Sequence, residues 1–68
     1  MSMKALRQRA GIKAEEVVFK LGISMSTLRN WEQGRTIPTL NPTQYAELLK
    51  LYNCTPDELA EAARDENN

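Results

Sequence analysis

Sixty-eight residues with a formal net charge of zero make one domain, near the lower limit for a core without a metal or disulfide staple. One cysteine and no histidine exclude an intrachain disulfide and a Cys/His zinc site, and no apolar run approaches the ~20 residues of a membrane span. The expectation is a cofactor-free cytoplasmic protein, and a compact helical bundle built on local contacts is the form that suits so short a chain.

In chain order, Ser2 can cap a first helix from about Met3 to Arg9 or Ala10, with Leu6 and Ala10 inward and Gly11 as its stop. Two short helical patterns follow, Ala14 to Leu21 and Met25 to Gln33, joined by Gly22-Ile23-Ser24. Gly22 suits the left-handed turn that ends one helix. Ser24 caps the next, with Ile23 stapled onto Leu28. Helices on so tight a turn cross steeply, as in a helix-turn-helix. Val17, Val18, Leu21, Leu28 and Trp31 fall at helical spacing and would share a core. Met25, Ser26, Arg29, Asn30 and Gln33 are then left with no core to enter. A solvated helix face is the ordinary reading of such a row. Yet arginine can bond bidentately to guanine, and asparagine or glutamine to adenine, in the major groove. Phe19 points away from the expected core.

Gly34 to Pro38 is a loop by its glycine and proline punctuation, with Ile37 and Leu40 tucking inward. Asn41, Pro42 and Gln44 form a capping box for a fourth helix, and Leu40 staples onto Tyr45. Tyr45, Leu48, Leu49 and Tyr52 follow the i, i+3, i+4, i+7 spacing of one buried face. The device repeats with Thr55, Pro56 and Glu58, while Cys54 and Leu59 form the staple of a short fifth helix to about Ala63. Residues 1–63 thus form the domain and 64–68 a polar tail.

Charge is unevenly spread. From Met1 to Pro38, seven basic residues (Lys4, Arg7, Arg9, Lys13, Lys20, Arg29, Arg35) face three acidic ones (Glu15, Glu16, Glu32), a net +4. From Thr39 to Asn68, Lys50 and Arg64 face six acidic residues, a net −4. The positive end lies on the helix-turn-helix side, which would orient the molecule on approach to DNA.

Arg7, Gly11, Gly22, Ile23, Ser24, Leu28, Trp31, Glu32, Gly34 and Pro38 stand at the spacing of the phage repressor and Cro-like (XRE-type) helix-turn-helix family, which the chain resembles from Leu6 to about Leu59. The resemblance implies an all-α bundle of about five helices, lambda-repressor-like, whose third helix enters the major groove while the second lies across the backbone. It also implies a partly buried ion pair, Arg7 with Glu32, and a dimer contact through the fifth helix and the loop before it. The chain departs from the family where Ser or Thr followed by Gln often opens the second helix: here stand Lys13 and Ala14. A hydroxyl cap and a phosphate-binding amide are lost, and Lys13 is the cation that would replace the amide. Val18 replaces a common small alanine, and the loop after Gly34 is about two residues longer than usual.

No histidine, no glycine-rich phosphate loop after a strand and no convergent carboxylates leave catalysis without a general base. The reading is a sequence-specific regulator of double-stranded DNA, a repressor of phage, plasmid or host genes. Met25, Ser26, Arg29, Asn30 and Gln33 would read bases, and Lys13, Asn30, Arg35 and Thr36 would bind phosphates. Asn30 belongs to both sets, because sequence does not fix its rotation about the helix axis. A weak homodimer on a palindromic operator is the expected assembly. The alternative is a protein-binding module, such as the antitoxin of a toxin–antitoxin pair, whose acidic half or Phe19 engages a protein partner.

Overall fold

Four of the five helices begin at a side-chain cap that the sequence supplies, and the exception bears on function. In the computed structural model, which describes residues 1–65, the helices are α1 (Met3–Ala10), α2 (Ala14–Leu21), α3 (Met25–Glu32), α4 (Pro42–Tyr52) and α5 (Pro56–Asp65), and no strand occurs among the described residues. Ser2 Oγ accepts from the Ala5 N–H at 3.1 Å, and Ser24 Oγ from the Thr27 N–H at 3.1 Å. Asn41 and Gln44 close a reciprocal box at 2.7 and 3.1 Å, as do Thr55 and Glu58 at 3.1 and 2.9 Å. Lys13, at the start of α2, makes no side-chain cap. Gly11 and Gly22 end α1 and α2 with φ of 74° and 68°, a conformation that opposes any side chain.

Each helix gives two buried residues to one core: Met3 and Leu6, Val17 and Leu21, Leu28 and Trp31, Leu48 and Tyr52, Leu59 and Ala62. Helix α1 packs on α3, α4 and α5, and α2 packs on α3 and α4, within 28 × 24 × 23 Å. The Gln44 amide reinforces this arrangement, because its Nε2 also donates to the Leu21 carbonyl at 3.0 Å and so clasps the start of α4 to the end of α2.

Several expectations are corrected. Met3 is fully buried, and Ala10 is only half-buried. Ile37 does not tuck inward but stands 64% exposed, and Tyr45 lies 38% exposed at the start of α4. Only the later part of the α4 stripe, Leu48 and Tyr52, is fully covered by other helices, with Leu49 half-buried beside it. Helix α5 runs two residues past Ala63, so Arg64 is helical, and residues 66–68 of the expected tail lie outside the described residues. Helix α3 stops at Glu32, with Gln33 as its cap. As expected, Phe19 is exposed and Leu40 packs against the core.

Candidate nucleic-acid interface

Helix α3 is fixed from behind. Leu28 and Trp31 are buried, Ser24 caps its first turn, and Arg7 of α1 grips Glu32 at its end. The guanidinium uses three groups: Nε donates to Glu32 Oε2 at 2.8 Å, Nη2 to Glu32 Oε1 at 3.3 Å, and Nη1 to the Ile12 carbonyl at 3.3 Å. The ion pair implied by the resemblance is therefore present as a two-pronged contact. Hydrogen bonding to Glu32 holds Arg7 still more firmly in its charged form.

On the other side of α3, Ser26, Arg29 and Gln33 are exposed and Asn30 is half-buried. Met25 departs from expectation: it is half-buried and packs against the core, so only part of its side chain faces outward. A methionine at the first helical position sits beside the packed turn before it, and its flexible thioether fills space there. Past the helix, Gly34 at φ 73° reverses the chain, and the Arg35 N–H donates to the Asn30 carbonyl at 2.9 Å. Arg35 and Thr36 are both exposed on this loop, as is Lys13 at the start of α2.

An ion pair and a hollow escaped sequence reasoning. Arg9 of α1 reaches Glu58 of α5, Nη1 to Oε2 at 2.9 Å, and also donates to the Asn53 carbonyl at 3.4 Å. The two residues are 49 positions apart, and no local pattern joins them. The Arg9 hydrogen bond, aided by the Thr55 backbone N–H, lowers the Glu58 carboxyl to about 2. The second feature is an open hollow of about 570 Å³ at the seam of α1, the start of α2 and α3, with Lys4, Ala14, Glu15, Arg29 and Gln33 among its walls. Among the described residues, no group of three or more His, Cys, Asp or Glu side chains stands close enough to hold a metal ion, and no helix is long and apolar enough to cross a membrane.

Two helices on a glycine turn, the second anchored by its apolar side and displaying a polar one, define a helix-turn-helix module. The chain belongs to the helix-turn-helix domain family, a class of DNA-binding modules, whose family model matches residues 2–62. No curated protein and no solved structure matches the chain.

Proposed function

We infer that this chain is a sequence-specific regulator of double-stranded DNA, of the Cro-like kind, that represses by occupying its operator. The observation that carries this reading is the two-sidedness of α3: Leu28 and Trp31 are locked inside while Ser26, Arg29 and Gln33 stand in solvent, uncovered by the molecule's own helices. Such a helix laid in a major groove brings an arginine and amides to base edges, where each bidentate contact discriminates by about 1–3 kcal/mol. Asn30 and the outward part of Met25 would flank these contacts. Lys13, Arg35 and Thr36 bracket the helix as phosphate ligands.

One eight-residue helix reads few bases, so useful specificity calls for two half-sites and hence a second copy of the chain. An apolar groove of about 230 Å³, lined by Ile37, Leu40, Tyr45, Pro56 and Leu59, supplies the face for it. The outward turn of Ile37 and Tyr45, which adds nothing to the monomer's core, supports that use.

Selection of sites from random duplexes tests the reading. The expected product is a pair of inverted half-sites about one helical turn apart. Arg29→Ala is expected to relax preference at one base-pair position, with the helical circular dichroism unchanged. Failure to enrich any sequence, by a protein that is folded, would reject it.

A further inference from the structure

We propose that Met25 reads the C5-methyl group of a pyrimidine, thymine in ordinary DNA, and that the hollow at Ala14 leaves its side chain bare for that contact. The inference rests on the DNA-binding reading above. It gives Met25 a ligand chemistry that its polar neighbours on α3 do not share.

Ser26, Arg29 and Gln33 carry hydroxyl, guanidinium and amide groups, which pair with donors and acceptors on base edges. Met25 ends in a thioether, apolar and at best a weak acceptor. Its position is fixed. It is the first residue of α3, it packs against the core, and the half that is not covered lines the hollow of about 570 Å³ together with Ala14 and Arg29. Ala14 brings only a methyl to that space, so the apolar surface of Met25 stays open on the side where Arg29 stands in solvent. Met25 and Arg29 are one turn apart on the same side of the helix, and a duplex engaged by one meets the other. Their separation along α3 is about 6 Å of rise, under two base steps of about 3.4 Å. A base edge that arrives against Met25 gives up its water. Ring nitrogens, amino groups and carbonyl oxygens pressed there lose hydrogen bonds and gain none. The thymine methyl is the one apolar group that the four ordinary bases show in the major groove, so it alone gains by the contact. A cytosine methylated at C5 shows the same group at the same place.

The first test leaves the protein unaltered and edits the DNA. In a duplex recovered by selection, each thymine of a half-site is replaced in turn by deoxyuridine, which removes the methyl and keeps every base-pairing hydrogen bond. One position is expected to lose about fourfold in affinity, the worth of one buried methyl group. At that position cytosine and 5-methylcytosine are then compared, and the methylated base is expected to bind tighter by a similar factor. Met25→Gln keeps the length of the side chain but ends in an amide and should abolish both differences, whereas Met25→Leu should retain them. Circular dichroism and thermal melts check that both variants are folded. Full affinity for every deoxyuridine duplex, or a selected half-site that contains no thymine, overturns the inference and leaves the DNA-binding reading intact. A methyl preference that persists in folded Met25→Gln also overturns it, because another group then reads that position. A folded parent that binds no duplex at all rejects the DNA-binding reading, and the inference with it.

Discussion

Arg7 and Arg9 leave the same helix two residues apart, each takes a glutamate, and the bond lengths are nearly equal at 2.8 and 2.9 Å. Their surroundings differ. The side chains of Arg7 and Glu32 are 13% and 9% exposed, against 39% and 41% for Arg9 and Glu58. One pair is shielded and ties α1 to the recognition helix. The other is washed by water and ties α1 to α5. The comparison teaches that distance alone does not rank ion pairs. What ranks them is the cost of the charge left behind when one partner goes, which is large for a desolvated carboxylate and small for a hydrated one.

The largest expected effect follows directly. Arg7→Ala strands Glu32 between α1 and α3 and should cost about 3 kcal/mol, a fall of roughly 12–24 °C in Tm at the usual 4–8 °C per kcal/mol for a domain of this size. Arg7→Lys should recover only part of it, since an ammonium cannot serve both carboxylate oxygens and the Ile12 carbonyl as the guanidinium fork does. Thermal melts of the two variants check this. A drop in Arg7→Ala no larger than that in Arg9→Ala would break the comparison.

Tyr52 sharpens it from the other side. Its hydroxyl is buried near the same ion pair but has no hydrogen-bond partner among the described residues, and burial holds the phenol protonated well above its usual range. A satisfied charge and an unsatisfied neutral group thus share one interior. Removing the latter should help: Tyr52→Phe is expected to gain about 1 kcal/mol, read as a rise in the urea midpoint with the slope unchanged. A lower midpoint would mean that the hydroxyl is bonded in solution.

How far such features could be read from the letters depended on whether their causes are local. The caps at Ser2, Ser24, Asn41 and Thr55 involve residues three apart, so spacing alone placed them. Leu28 and Trp31 inside, with Arg29 outside, followed from the 3.6-residue period. Arg7 with Glu32 came only from the family resemblance, and Arg9 with Glu58 not at all, because both look like ordinary surface charges until α5 folds back on α1. The same limit explains Ile37 and Tyr45: apolar spacing marks a face, but whether another element covers it is decided by the length and path of the 33–41 loop. The hollow at Ala14 needed three helices in place before it existed.

At Lys13 the molecule offers an exposed position where a neutral contact can be set against an exposed charge pair. Lys13→Ser would supply the missing hydroxyl to the first turn of α2 and is expected to stabilise by about 1 kcal/mol. If Lys13 also binds a phosphate, the same variant should show a shallower salt slope on DNA, so that stability and binding move in opposite directions. A melt that does not rise would show that solvent already satisfies this helix start.

The smallest effect belongs to the exposed pair, and its signature is pH. The folded-state carboxyl of Glu58 sits at about 2, below an ordinary value of 4.5, because Arg9 and the Thr55 N–H favour its charged form. A group lowered on folding contributes above its unfolded value and loses that contribution as pH falls through the folded one. Stability from this pair is therefore intact at neutral pH and disappears between about 4.5 and about 2. Arg9→Ala should lower the melting temperature slightly at pH 7 and less in high salt, where exposed charges are screened. Glu58→Gln keeps a side-chain oxygen for the Thr55 N–H but no charge for Arg9, and should flatten the acid limb of the stability curve over that same interval. If parent and Glu58→Gln lose stability in parallel between pH 4.5 and pH 2, the acid sensitivity of the fold lies with other carboxylates, and the water around Arg9 has cancelled what its 2.9 Å bond suggests.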